Sequence, residues 1–558
     1  MPIQSKLRLQ GIIGMKKIGD TGSFKNFYEN NRIYIDKTEY LYRMLVDNPL
    51  ERIFVSRPRR FGKSLTLDTV ATLFESGVDP YFKGTWIYDK WTEPTYPVFR
   101  LNLIEYPKDD LIEFKRRLIK DISNFAFLNK VKNYFEDFSP TGSLKSLLEA
   151  LAIEHRKIVL LIDEYDCQLT ANINNKKIYD SFQEFLREFY GIIKGKYAIR
   201  FLGVTGVTRL KDVSIFSVGS DINDITNDSA YSQMIGFTRD EIKRYYIDYL
   251  TLAASYENKC RVEEVTDTQI ESMLDMMAQN YDGYCFDEDY EKKVFSTWSV
   301  NTFFQTMIEK KKVQFGEYWY DNGGLPSILV NYLKTHELNA FEYLNKENTV
   351  SIPVNDFLNP TALTTINQNV LMCQTGYLTL RSALTSGDLT VDLGIPNGEI
   401  YKALNRLLAI NFYKEGIYDL AKGVRDLLDA GEIKDIVDRF NSVINSVSYD
   451  HFSINSESVV QNYLYLFLIG AGIETTTESH SSKGRADLII ETKNRRLVFE
   501  LKYAEDETVA KAMLSEAVEQ IKSRDYGNTE PKKNELLRIA TVFNAEPKVR
   551  AFTEYQAV

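Results

Sequence analysis

Asp487, Glu500 and Lys502 stand in a D-x12-E-x-K pattern within GRADLIIETKNRRLVFELK, residues 484–502. Two carboxylates and a lysine on one face are what metal-assisted phosphodiester hydrolysis requires. The carboxylates and the Leu501 carbonyl would hold Mg2+, and Lys502 would orient the water or the developing charge. A second set of reactive residues lies far upstream. In SRPRRFGKSLT (56–66), Lys63 and Ser64 supply a lysine for outer phosphates and a hydroxyl for Mg2+. In KIVLLIDEYD (157–166), an apolar run ends in Asp163 and Glu164. Asp163 would hold Mg2+, directly or through water, and Glu164 would polarise an attacking water. The plainer alternatives are a strand ending in a surface turn and a surface hairpin of ordinary charge pattern.

The elements that must position these residues can be read from spacing. RADLIIE and RRLVFELK are strands joined by a turn near Thr492–Arg495. A hairpin centred between Lys493 and Asn494 sets Asp487 opposite Glu500, with Cβ atoms about 5 Å apart. Facing like charges destabilise a hairpin unless a cation sits between them. Lys502, two residues past Glu500, shares that face. Upstream, RIFVS (52–56) is a short apolar strand before the loop, and LTLDTVATLF (65–74) has helical spacing after it. The loop residues Arg59, Arg60, Phe61, Gly62, Lys63, Ser64 and Leu65 form the candidate nucleotide contact, although the generic first glycine is replaced by Arg57. Arg57, Arg59 and Arg60 would touch phosphate, touch a neighbouring domain or stand as solvated charge. VTGVTR (204–209) is a third strand end, with Thr205, Thr208 and Arg209 as γ-phosphate readers or as ordinary turn residues.

VFRLNL (98–103), KIVLLID (157–163) and AIRFLGVT (198–205) are further buried strands, with helices at 114–128 and 180–195 between them. Strands alternating with helices imply an α/β fold with a largely parallel sheet. After about residue 236 the helices dominate, beginning with 237–250 and 268–281. From about 455 a helix, two strands, a helix at 509–524 and a strand at 536–544 make a small α-β-β-α-β module.

The chain has 558 residues, of which 44% are hydrophobic, enough for three or four packed domains. Its longest apolar runs fall short of the roughly 18 residues that span a bilayer, and its start lacks a secretion signal. A soluble, cytoplasmic protein without a membrane partner is expected. Its 4 cysteines are scattered, which argues against a zinc knuckle or a disulfide framework. A net charge of −10 argues against a chain-wide grip on nucleic acid. Residues 481–558 carry 14 Lys+Arg and 13 Asp+Glu, so the C-terminal module would hold a duplex poorly alone.

Taken in order, YIDKTEYL (34–41), SRPRRFGKSLT, YFKGTWI (81–87), YPVFRLNL (96–103), KIVLLIDEYD, YDGYCF (281–286), YWYDNGGLPSIL (318–329) and TGYLTL (375–380) resemble the bacterial AAA-ATPase-like proteins that carry a C-terminal PD-(D/E)XK nuclease-like domain. The resemblance covers nearly the whole chain, and RPRRFGKS looks like that family's own loop. It implies a P-loop NTPase parallel sheet over 1–235, a mostly helical lid or linker over 236–450 and an α/β restriction-endonuclease-like domain over 451–558. It also implies Glu457, on the first helix of the last domain, as an added metal ligand, and Gln520 as an active-site polar group. Glu478 and Arg485 would flank that site. The expected reading is an ATP- and Mg2+-binding protein whose nucleotide cycle regulates a Mg2+-dependent nuclease. Nucleic acid is its partner, DNA ahead of RNA, with self-assembly an open expectation. The competing reading is a nucleotide-dependent switch or scaffold whose nuclease fold only binds nucleic acid or a partner protein.

Overall fold

The computed structural model of the protein describes residues 15–19, 22–193, 198–210, 221–319, 327–333, 336, 340–360, 362–413, 416–447, 454–481, 484–524 and 535–558. The chain divides into two compact units, 1–337 with 349–401, and 338–348 with 402–558.

In the first unit β1 (Arg52–Ser56), β2 (Val98–Asn102), β3 (Ile158–Asp163), β4 (Ile199–Gly206) and β5 (Asn223–Asp224) form one sheet in the order β2-β3-β4-β1-β5. Every pairing in it is parallel. β1 and β3 are buried along their whole lengths, as the continuous runs RIFVS and IVLLI require in a sheet covered on both faces. Because the strands are parallel, the loop after β1, the end of β3 and the end of β4 share one sheet edge, where ligands bind in open α/β sheets. Helix α1 (Lys63–Ser76) starts directly after the loop. Helices α2 (Leu111–Leu128), α3 (Pro140–Ile153) and α4 (Lys176–Ile193) lie between the later strands. Asp110 caps α2 through the Ile112 and Glu113 amides, and Ser139 caps α3 ahead of Pro140.

The region after residue 236 is mostly helical, with two small sheets inside it. The expected helix at 237–250 is broken at Tyr246 into α5 (Arg239–Tyr245) and α6 (Ile247–Asn258). A capping box between Thr238 and Glu241 fixes the start of α5. Helix α7 (Thr297–Lys310) follows a hairpin of β6 (Tyr284–Cys285) and β7 (Lys293–Val294). A three-stranded sheet joins β8 (Thr349–Pro353), β10 (Thr390–Gly394) and β9 (Thr379–Leu380).

In the second unit α8 (Glu457–Gly470) precedes a five-stranded sheet, β11 (Glu474–Ser481), β12 (Gly484–Glu491), β13 (Arg495–Ala504), β14 (Glu535–Asn544) and β15 (Ala551–Ala557), in chain order. Helix α9 (Glu507–Arg524) joins β13 to β14, and that pair is parallel while the others are antiparallel. The module therefore has two more strands than the three expected. ETTTESHS and AFTEYQA are both edge strands, and polar edge strands lack the apolar alternation that marks a strand in sequence.

Candidate nucleotide and metal sites

Gly62 adopts φ +109°, a left-handed turn that a residue with a Cβ enters only under strain, and it opens α1. The turn sends Lys63 inward. Its ammonium is 4% exposed and donates to the Arg57 and Pro58 carbonyls at 3.0 and 3.2 Å. It also lies 3.8 Å from Glu164 Oε1. Ser64 Oγ donates to Asp163 Oδ2 at 2.5 Å, and Asp163 Oδ1 accepts from Thr205 Oγ1 and from the Glu164 amide. A hydroxyl and a carboxylate in direct contact at a helix N-terminus can share one Mg2+. Glu164 has φ +53°, a strained conformation for a side chain of its size. Burial pushes its carboxyl up, against the pull of Lys63.

A cavity of about 430 Å3 opens here. Residues 59–66 and Glu164 form its polar wall, while Ile33, Ile35, Met234, Ile235, Phe237 and Tyr246 line much of the remainder. A polar wall at the loop and apolar side chains beyond it suit phosphates and a heteroaromatic base. The loop is braced from the helical region: Thr297 Oγ1 donates to the Arg60 carbonyl at 2.9 Å, and Trp319 Nε1 to the Arg59 carbonyl at 3.1 Å. The Arg60 guanidinium stacks 4.3 Å over Trp298.

The residues of the third strand end take other partners. Thr205 holds Asp163, and Thr208 holds Asp166 through its amide and hydroxyl. Arg209 pairs with Asp224 at 2.5 Å and lines a different, smaller cavity. The apolar wall was not singled out from sequence as a site, because 33–41 and 234–246 are about two hundred residues apart and neither carries a phosphate signature. Lys37, from the YIDKTEYL segment, also lines the cavity and bonds Gln233 O and Glu241 Oε2 at 2.8 and 2.7 Å.

In the second unit, β12 and β13 pair Leu488 with Phe499 and Glu491 with Arg496, so Asp487 comes next, opposite Glu500. Asp487 Oδ2 accepts from the Leu501 amide at 2.7 Å. Because N–H and C=O of one strand residue point to the same side, the Leu501 carbonyl faces this edge as well. The Glu500 carbonyl points the other way and accepts from Thr541 Oγ1 at 3.3 Å. Glu500 is 0% exposed. One of its oxygens receives Lys502 Nζ at 3.1 Å, and the other, Oε2, has no hydrogen-bond partner among the described residues. Lys502 Nζ is also 3.7 Å from Glu457 Oε2. Its ammonium is held up because Glu500 and Glu457 together outweigh its burial.

Burial, reinforced by Asp487, pushes the Glu500 carboxyl up to about 7. A buried carboxylate oxygen without a partner, beside a second carboxylate and a main-chain carbonyl, fits a hard divalent cation. Among the described residues no three His, Cys, Asp or Glu side chains form a ready-made cage. A cation here would rest on Asp487, Glu500, the Leu501 carbonyl and water. Gln461, one turn beyond Glu457 on α8, donates to the Asp487 carbonyl and was not singled out from sequence. Gln520 lies half-buried on α9, and its side chain makes no hydrogen bond to this cluster. Glu516, one turn earlier, is the α9 residue whose charge acts on Glu457. The side chains of Glu478 and Arg485 lie outside the described residues.

The Glu500 shift has a measurable consequence. Its folded pKa lies above the ordinary glutamate value of 4.5, so this group's contribution to stability is full below about pH 4.5 and is lost as pH rises through about 7. A cation at Asp487 and Glu500 would replace that proton. Mg2+ should therefore raise the melting temperature of the C-terminal unit by several degrees at about pH 8 and hardly at all at about pH 5.5. Calorimetry of the full chain at both pH values checks this; equal traces with and without Mg2+ at about pH 8 would remove the metal from the site.

Residues 18–216 match the family model described as predicted AAA-ATPase, and residues 455–553 match the PD-(D/E)XK nuclease superfamily model. A protein described as "Uncharacterized protein in vnfD 5'region" of Azotobacter chroococcum mcd 1 is 26% identical over 505 residues, which is 89% of each chain. Among solved structures, Cdc6p from Pyrobaculum aerophilum aligns with 11% identity and a TM-score of 0.27, over 70% of this chain and 98% of its own. The Aeropyrum pernix ORC1 protein, solved in complex with DNA, aligns with 12% identity and a TM-score of 0.25, over 66% of this chain and 91% of its own. The two family matches fall on the two sites described above, and one polypeptide thus carries a predicted AAA-ATPase domain near its start and a PD-(D/E)XK nuclease superfamily domain at its end.

Proposed function

We propose that the protein binds and hydrolyses ATP at the first site and, under its control, cleaves nucleic-acid phosphodiesters at the second. The observation that carries the reading is that the β12–β13 register sets Asp487 opposite Glu500, whose buried Oε2 lacks a partner among the described residues next to Lys502. Two facing carboxylates, one of them fully buried, are costly unless a cation joins them. Bound Mg2+ would supply Lewis-acid charge at each site and a water acidified for attack. The chain's own groups do the rest. Lys63, released from the Arg57 and Pro58 carbonyls, binds outer phosphate oxygens. Asp163 and Ser64 would hold the cation. Glu164 would accept a hydrogen bond from the attacking water and take up its proton. Lys502 holds charge at the scissile phosphate, and Glu457 keeps that ammonium in place. A cytoplasmic setting, where ATP, Mg2+ and nucleic acid meet, belongs to the same proposal, and DNA is its first candidate substrate.

The test is cleavage of plasmid, single-stranded DNA and RNA by the purified full chain, with and without Mg2+ and ATP. Mg2+-dependent products that disappear with Asp487→Ala support the reading. ATP turnover without cleavage of any substrate would leave a nucleotide-driven binding protein, the reading that the acidic balance of −10 favours.

Glu164 gives a separate expectation. Glu164→Gln keeps the shape and removes the charge. ATP binding should stay within about threefold of wild type while turnover falls about a hundredfold, the scale of one general-base group. Unchanged turnover in this variant would place the activating group elsewhere.

A further inference from the structure

A second cavity of about 40 Å3 shares no lining residue with the nucleotide cavity. It lies against the start of the loop, with Arg57 in its wall. Arg57 is 1% exposed. One terminal nitrogen, Nη1, donates to the Ser56 and Thr226 carbonyls at 2.9 and 2.6 Å, while Nε and Nη2 have no hydrogen-bond partner among the described residues. The Phe286 ring covers the guanidinium at 4.1 Å. Burial pulls this guanidinium down to about 9, against the opposing influence of Asp224.

The rest of the wall is rich in donors. Arg209 contributes a second guanidinium, paired at Nε with Asp224. Thr226 Oγ1 accepts from the Ser56 amide at 3.1 Å, which leaves its own O–H to donate. Gln374 Oε1 accepts from the Arg209 amide at 3.3 Å, which leaves its NH2 group. Asn227 adds another amide, and among the described residues no carboxylate lines the cavity. Two thiols in the wall stay neutral at physiological pH, because burial raises Cys285 to about 11 and Cys373 to about 12.

Two guanidinium groups against one carboxylate leave an excess positive charge. A buried guanidinium with two unmade donors is costly, and an anion that accepts from it removes that cost. The volume holds about three water-sized atoms, the scale of a small oxyanion. We propose that this cavity is a binding site for a small inorganic oxyanion of the phosphate or sulfate class, held by Arg57, Arg209, Thr226 and Gln374. The site adjoins the resting place of the loop lysine, since the carbonyl of Arg57 itself accepts from Lys63. It does not depend on the loop binding ATP.

Inorganic phosphate is the probe, titrated calorimetrically into the full chain, with sulfate and chloride as parallel arms. Wild type should bind one phosphate, sulfate should compete for it and chloride should do so weakly. Lys63→Ala, which disables the nucleotide loop, should leave phosphate affinity within about twofold. Gln374→Glu, nearly isosteric and on the wall, should weaken it at least about tenfold by like-charge repulsion. Arg57→Gln should abolish binding, and Gln374→Glu keeps the test decisive if the Arg57 variant does not fold. Loss in Lys63→Ala with no change in Gln374→Glu would mean that phosphate occupies the nucleotide loop. No heat at millimolar phosphate in wild type would equally overturn the site.

Discussion

Asp487→Ala is expected to lower Mg2+-dependent cleavage about a thousandfold while ATP binding stays at the wild-type level. Removing the metal's charge stabilisation costs several kcal/mol, and each 1.4 kcal/mol or so is a decade in rate. Asp487 also accepts from the Leu501 amide, the edge group that β12 no longer pairs. Its loss would therefore remove a proposed metal ligand and loosen the strand that presents the other candidates. Glu500→Gln separates these effects. It keeps the shape, removes the charge whose burial, and then its repulsion by Asp487, raise the Glu500 pKa, and should make the metal-free protein more stable at neutral pH. Cleavage should fall by the same three decades. Digestion of a plasmid by the two purified variants, with melting curves alongside, checks both. Wild-type rates in either variant would place the cutting activity elsewhere and make the C-terminal module a binding domain.

The second large effect is on the nucleotide. Lys63→Ala should weaken ATP binding about a hundredfold, measured by calorimetry in Mg2+. A charge-assisted hydrogen bond contributes about 1.5–3 kcal/mol, and Lys63 would donate to oxygens of the outer phosphates. In the free protein the same ammonium is tied to the Arg57 and Pro58 carbonyls, so part of its binding energy goes into leaving them. Losing the lysine also strips Glu164 of the charge that opposes its burial, and that carboxyl should rise further. Equal ATP affinity in the variant would show that nucleotide binds without this loop. Retained folding is expected, because α1 buries Leu67, Val70, Leu73 and Phe74 independently of Lys63.

How far the sequence could be read depended on the range of each signal. The Asp487–Glu500 register was legible because strand side chains alternate with period two and a tight turn fixes the centre of a hairpin. The central strands of the first sheet were legible for a similar local reason: RIFVS and IVLLI are continuous apolar runs that only a covered sheet explains. Ser64 beside Asp163 fits two strand ends on one edge of a parallel sheet, with β4 between β1 and β3. What escaped was long-range or polar. Arg209 reads like a phosphate sensor in VTGVTR, yet its partner Asp224 sits on a two-residue strand that has no sequence signature. The apolar wall of the nucleotide cavity joins segments some two hundred residues apart. β11 and β15 are polar edges. Gln461 looked like any residue on the apolar helix that starts at Glu457, and only the fold aims it at the Asp487 carbonyl. Arg57 filled the place of a missing glycine, and nothing local said that it would be buried with two donors unused.

The central claim is that the state of the first site sets the activity of the second. The most direct measurement is the initial rate of Mg2+-dependent cleavage by the full chain with and without ATP, in wild type and in Lys63→Ala. The account predicts that ATP changes the wild-type rate at least about tenfold, the scale of a coupling free energy between sites, and leaves the Lys63→Ala rate unchanged. Cleavage by wild type at one rate with and without ATP, equal to that of Lys63→Ala, would contradict it.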